Sequence, residues 1–163
     1  MPKATMRTAV VEVVHVTIEC GRPFEAVRDA LANDVPALDP QLIKLLISAN
    51  AAKIEERRAA GPSLWLFETR DHGALVAAEG HAKKAIQFEI GNPLTAERMT
   101  RHRLAAGLYA PLRIVLYEDG HGRAVFEYDL PSSLLSQFGD EQVAKAGRGL
   151  DEALKQVLMA AAG

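Results

Sequence analysis

Between Val14 and Cys20 the apolar residues fall on every second position. Val14, Val16, Ile18 and Cys20 share one face, and His15, Thr17 and Glu19 share the other. This period of two, in a run rich in β-branched residues, predicts a strand over 9–20 with one buried face. Gly21 ends it, and Pro23 suits the first turn of a helix. Phe24, Val27 and Leu31 then recur at helical spacing, which predicts a short amphipathic helix. The stretch 33–40 carries two prolines and three Asx residues and reads as a loop. Asp39 and Pro40 suit an N-cap and a first helical position. Leu42, Leu45, Leu46 and Ala49 supply the stripe of a second helix, which continues through the charged stretch 53–58 and stops near Gly61 and Pro62.

Sheet follows. Strands are expected over 64–69, 74–79 and 84–90, joined by turns at Asp71-His72-Gly73 and Gly80-His81, which makes an antiparallel meander. Ile86, Phe88 and Ile90 alternate with Gln87 and Glu89, so the sheet has one packed face and one wetter face. Gly91-Asn92-Pro93 opens a helix that runs to about residue 104. Strands over 111–118 and 123–130 flank Asp119-Gly120-His121-Gly122, a strong hairpin signal. The stretch 131–139 is a loop or a short helical turn. Asp140 caps a last helix striped by Val143, Leu150, Leu154, Val157 and Leu158. This order lacks the regular strand–helix–strand alternation of a doubly wound parallel sheet. The expected fold is therefore α+β, an antiparallel sheet of about five to six strands with helices packed on one face. No repeat or linker interrupts it, so residues 1–163 are expected to form one domain.

Composition sharpens this picture at a few points. With 48% apolar and 25% charged residues the chain can build a core without disulfides or metal. Its 21 acidic and 19 basic residues leave a net charge of −2, which gives no global footprint for nucleic acid. The one cysteine, Cys20, closes an apolar run and reads as a small buried hydrophobe. The N-terminal residues hold no apolar signal-peptide core, and no apolar run approaches the roughly 20 residues of a membrane span. The expectation is a cytoplasmic protein without a membrane partner.

Four segments carry a family likeness: DHGAL from Asp71 to Leu75, IGNPLTAERMTRH from Ile90 to His102, LYAPLRIVLYEDGHG from Leu108 to Gly122, and FEYDLPSSLLSQFG from Phe126 to Gly139. Through them the stretch from about Trp65 to Leu154 resembles the bacterial domain-of-unknown-function family 302. The resemblance implies a small α+β domain with an antiparallel sheet, often dimeric. It implies no reaction, cofactor or catalytic residue.

Candidate chemistry is sparse. The Gly91-Asn92-Pro93 turn is a good strand-to-helix connection, and it also presents a helix start that suits an anion. Arg98, Arg101, His102 and Arg103 form a cationic patch, either a solvated face or a receiver of a carboxylate or phosphate. Tyr109, Arg113, Tyr117 and Tyr128 gather around the last hairpin, where arginine and tyrosine suit either a flat anionic ligand or a subunit interface. The five histidines, His15, His72, His81, His102 and His121, show no helical pair and no supporting cysteine cluster, so no metal site is read from them. Nucleophile-elbow and phosphate-loop motifs are absent. Glu118 with Asp119 and Glu127 with Asp129 are carboxylate pairs of the kind hairpins use for solubility. The expectation is a non-catalytic domain, without a cofactor, that binds a small molecule through an anionic or polar head. Its site would draw on His72, Asn92, Tyr109 and Arg113. Alternatives are a homodimeric interaction module using the same residues, and an enzyme, which would need a polar pair such as Glu89 with His72.

Overall fold

Leu112, Ile114 and Leu116 are buried along strand β4 (Leu112–Glu118), while Arg113 between them is exposed. That alternation divides the two faces of the whole sheet. In a computed structural model, which describes residues 1, 3–80 and 82–163, β4 lies at the sheet's centre. It pairs with β3 (Ala85–Gly91) on one side and β5 (Ala124–Asp129) on the other. β1 (His15–Glu19) extends the sheet beyond β5, and β2 (Trp65–Asp71) extends it beyond β3. The order is β1-β5-β4-β3-β2 with every pairing antiparallel.

The register brings apolar residues into rows. Ile86, Leu116 and Phe126 stand side by side, as do Phe88, Ile114 and Tyr128. Helix α1 (Phe24–Asp34) lays Phe24, Val27 and Leu31 into the core these rows build. The long C-terminal helix α7 (Glu141–Ala162) adds Val143, Leu150, Leu154 and Leu158. The opposite face of the sheet carries Thr17, Gln87, Arg113 and Glu127 and is uncovered. Lys84 ties the two layers together at one end, meeting Glu25 of α1 at 2.8 Å and Glu118 of β4 at 3.1 Å.

Several expectations need correction. Residues 74–79 are not a strand: α4 (His72–Ala77) occupies the stretch between β2 and β3. The side chain of Asp71 accepts from the N–H of Ala74 at 2.8 Å, and this N-cap outweighs the weak alternation of small residues that follows. Gly73 lies so close to the chain entering β3 that a Cβ would sit 2.4 Å from the Lys83 carbonyl. The meander is therefore two strands joined through a helix. The expected turn at Gly80-His81 falls partly outside the described residues, because His81 is not among them.

The second expected helix is two, α2 (Pro40–Ile47) and α3 (Ala51–Ala60). Between them Ala49 takes a φ of 53°, and Asn50 caps α3 by accepting from Lys53 N–H at 3.1 Å. The first strand shrinks to His15–Glu19, the residues in ladder register with β5. Val10, Val13 and Val14 are exposed. β2 has its own irregularity: a register shift between Leu66 and Glu68 leaves Phe67 as an extra residue. Its outer edge is covered by the 36–38 segment, where Leu38 N–H donates to Leu66 and Leu66 N–H donates to Pro36.

The helix after Asn92, α5 (Pro93–His102), ends two residues short of the expected limit and gives way to a 3-10 turn over Leu104–Tyr109. After β5, α6 (Pro131–Leu135) and a 3-10 turn over Ser136–Phe138 form the expected short helical connection. Cys20 is half-buried, and burial raises its thiol pKa. Among the described residues no helix is long and apolar enough to cross a membrane.

Candidate functional site

Asn92 fixes the start of α5 in three directions. Its Oδ1 accepts from the N–H groups of Leu94 and Thr95 at 2.9 and 3.2 Å, and its Nδ2 donates to the Ser63 carbonyl at 2.9 Å. Pro93 has no N–H, and that of Ala96 bonds to the Asn92 carbonyl. The donors that the sequence reading offers to an anion at this turn are thus committed within the chain. What Asn92 does instead is orient α5, whose two faces border two different clefts.

One face turns toward α7. Thr95, Arg98, Arg101 and His102 form one wall of a cleft of about 540 Å³, and Gln142, Lys145, Ala146, Gly149, Leu150 and Ala153 form the other. Ser63 and Asn92 lie at its end. Among the described residues no aspartate or glutamate lines it. Arg101 is partly neutralised by Glu97, whose Oε1 accepts from its Nε at 3.0 Å, and Glu97 is also approached by Arg58 at 3.8 Å. Among the described residues Arg98, His102 and Lys145 make no ion pair. The first turn of α7 holds its own cap, since Asp140 accepts from the N–H groups of Gln142 and Val143. The cleft's positive charge therefore comes from side chains and not from a helix end.

The other face of α5 presents Pro93, Ala96 and Met99 to an apolar cleft of about 260 Å³. Ile43 and Leu46 of α2, the bulged Phe67 of β2 and Tyr109 complete most of its wall. Tyr109 is held in place through its hydroxyl, which accepts from Gln137 Nε2 at 2.9 Å.

A third arrangement lies on the uncovered face of the sheet. His15 sits between two carboxylates, with Nδ1 2.9 Å from Asp129 Oδ1 and Nε2 3.3 Å from Glu127 Oε2. The Tyr117 hydroxyl donates to Glu127 Oε1 at 2.7 Å. Hydrogen bonds to Asp129 and then Glu127 raise the His15 pKa, because both carboxylates favour the imidazolium. The bond to Glu127, followed by burial, raises that of Tyr117. Arg113 borders this network, exposed and, among the described residues, without an ion pair.

The four expected site residues do not converge. Asn92 and Tyr109 line the apolar cleft together, Tyr109 and Arg113 line the depression on the open sheet face, and His72 opens α4 and borders neither. Of the expected aromatic cluster, Tyr109, Arg113 and Tyr128 border this depression, with Tyr128 largely buried beside Ile114, and Tyr117 reaches it through Glu127. Glu89, named as a partner for His72, pairs with Arg70 instead. Two residues absent from the sequence reading, Gln142 and Lys145, join the α5 patch because α7 lies alongside it. Their exposed positions in the first two turns of α7 were the available signal, and only the pairing of the two helices gives it meaning. The His15 network depends likewise on register, which sets His15 opposite Asp129 and Thr17 opposite Glu127.

The family model described as "Domain of unknown function DUF302" matches residues 49–161. Among solved structures, the fold is similar to the crystal structure of an uncharacterized conserved protein DUF302 from Bacillus stearothermophilus. The two share 14% sequence identity with a TM-score of 0.64, over 88% of this chain and 94% of that one. At that identity the likeness concerns the fold alone. No curated protein matches the chain.

Proposed function

We propose that this chain, which belongs to the DUF302 family, is a non-catalytic binding domain for a small molecule with an anionic head, received in the cleft between α5 and α7. One observation carries the reading. Arg98, Arg101 and Lys145 line a cleft that, among the described residues, no carboxylate lines, in a chain whose net charge is −2. Cations gathered in a concave site reinforce one another's field and raise the local concentration of anions. Asn92 contributes by anchoring α5 to Ser63, so that Arg98 and Arg101 are presented on a fixed helix.

Isothermal titration with inorganic phosphate, comparing the unaltered chain with Arg98→Glu and Lys145→Glu, tests the reading. Each charge reversal is expected to weaken binding at least tenfold, with circular dichroism unchanged. Affinity should also fall as salt rises, because the cations are exposed. Equal affinity in all three proteins would remove the cleft from consideration.

A second reading is favoured by the uncovered sheet face, where Arg113, without an ion pair among the described residues, lies near the Tyr117–Glu127 pair. Arginine and tyrosine are enriched at subunit interfaces, and this face would pair two copies of the chain. Sedimentation at several concentrations should then show Arg113→Ala and Tyr117→Ala weakening self-association while phosphate binding is unaffected. Unchanged association in both variants would exclude this face.

A further inference from the structure

The lining of the α5–α7 cleft differs from that of an ordinary cationic surface in which polar groups it leaves uncommitted. Ser63, Thr95 and Gln142, whose side chains carry two hydroxyls and an amide, all line it. Among the described residues none of the three makes a side-chain hydrogen bond. Thr95 and Gln142 take part in caps only through their backbone N–H groups. They share the cleft with Arg98 and Lys145, one from each wall. A hydroxyl both donates and accepts, and an amide does so through two different atoms. Together they form a surface suited to a ligand that carries several hydroxyls next to its charge.

What the cleft lacks points the same way. Among the described residues no phenylalanine, tyrosine or tryptophan lines it, so a nucleobase would find no ring to stack on. Its apolar wall amounts to Ala146, Leu150 and Ala153, too little to shelter an acyl chain. Phe67 and Tyr109 border the apolar cleft on the helix's other face, which meets this one at Asn92 and Leu150. Volume adds a further constraint. At about 540 Å³ the cleft falls within the roughly 300–1,000 Å³ of small-molecule sites. A bare phosphate would leave the hydroxyl and amide wall unused.

We infer that the ligand class of this cleft is a phosphorylated polyol, such as a sugar phosphate or a cyclitol phosphate. Arg98 and Lys145 hold the phosphate, and Ser63, Thr95 and Gln142 hydrogen-bond the hydroxyls. The inference rests on the anion-binding reading above and adds the chemistry of the remainder of the ligand.

The test is calorimetric titration of the whole chain with four probes: inorganic phosphate, a hexose 6-phosphate, adenosine monophosphate and octyl phosphate. The hexose phosphate is expected to bind at least tenfold tighter than the other three. Thr95→Val and Gln142→Ala should each weaken hexose phosphate more than inorganic phosphate, reducing that advantage by about twofold to tenfold, the span of one lost hydrogen bond. Arg98→Glu should weaken all phosphate probes together. Equal affinity for hexose phosphate and inorganic phosphate would overturn the polyol assignment while leaving the anion reading standing. Tightest binding of adenosine monophosphate or octyl phosphate would overturn it in favour of a stacked or apolar ligand. If no probe binds the unaltered chain, the anion reading fails and takes this inference with it.

Discussion

The side-chain amide of Asn92 donates to the carbonyl of Ser63 across 29 residues of sequence, while the same side chain's oxygen caps α5. A single residue thus sets both where the helix begins and where it lies against the segment that enters β2. Asn92→Ala removes both roles and is expected to cost about 1–2 kcal/mol, the upper range for an N-cap. Asn92→Asp keeps the acceptor for Leu94 and Thr95 but loses the donor to Ser63, so it should fall between the two. In a chain of this size each kcal/mol shifts the thermal midpoint by about 2–4 °C. Thermal unfolding of the three proteins checks the order. An Asn92→Ala variant as stable as the unaltered chain would show that the cap contributes nothing.

His15 offers a test of the sheet's open face through pH. Its pKa lies above the ordinary histidine value of 6.5, raised first by Asp129 and then by Glu127. A base whose pKa is raised by folding stabilises the fold while it is charged. That contribution is complete below about 6.5 and is lost as pH rises through the elevated folded value. The ring is half exposed, so the contribution to stability is small and screened by salt. The midpoint itself is the better observable. Proton NMR of the His15 ring should show it titrating above 6.5, and Asp129→Asn should move the midpoint down further than Glu127→Gln. A midpoint at or below 6.5 in the unaltered chain would contradict the two-carboxylate geometry.

The elements that were legible in the sequence are those whose pattern and caps agree. β3 alternates over 86–90 and β4 over most of its length, and Ile86, Phe88, Ile114 and Leu116 all occupy the face the alternation assigns them. α5 and α7 announce themselves through Asn92-Pro93 and Asp140. Failure came where a short polar side chain decided the local structure against the run around it. Asp71 turns 72–77 into a helix, and Asn50 restarts a helix that the stripe of leucines suggested was continuous. At the site, the α5 half of the cationic cleft was visible as Arg98, Arg101 and His102, because it lies on one helix. Lys145 and Gln142 were not, because periodicity within α7 carries no information about which helix it lies beside. The same limit hid that Tyr109, in a 3-10 turn, borders both the apolar cleft and the depression beside Arg113, since neither neighbourhood lies within one element.

Ala49, between α2 and α3, has a φ of 53°. An alanine Cβ is crowded in that left-handed conformation, at a cost of about 1–2 kcal/mol. Ala49→Gly relieves the crowding but returns about 0.4–1 kcal/mol through the greater freedom of the unfolded chain. The net expectation is a gain of up to about 1.6 kcal/mol in urea denaturation. Ala49→Val, with a bulkier β-branched side chain in the same conformation, should be less stable than the unaltered chain. Were Ala49→Gly destabilising, the break between α2 and α3 would have to be a continuous helix, as the leucine stripe first suggested.

Two glycines of α7, two residues apart, should respond in opposite directions to the same substitution. Gly147 is buried, and a Cβ there would stand 3.0 Å from the Ser132 Cα and 3.3 Å from the Leu135 Cδ1. The close approach also lets Asp151 accept from the Ser132 N–H at 2.9 Å, fastening α6 to α7. Gly149 is exposed, and a Cβ there would meet nothing within 4 Å. Gly147→Ala must push α6 away and is expected to cost about 1–3 kcal/mol, as overpacked cores do. Gly149→Ala meets no obstacle and gains the helix propensity of alanine, about 0.8–1 kcal/mol. Because Gly149 also borders the cationic cleft, phosphate titration of Gly149→Ala should accompany its denaturation curve. Higher stability with unchanged phosphate affinity would place the bound anion toward Arg98 and Lys145, whereas higher stability with weakened affinity would place it against the α7 backbone at Gly149.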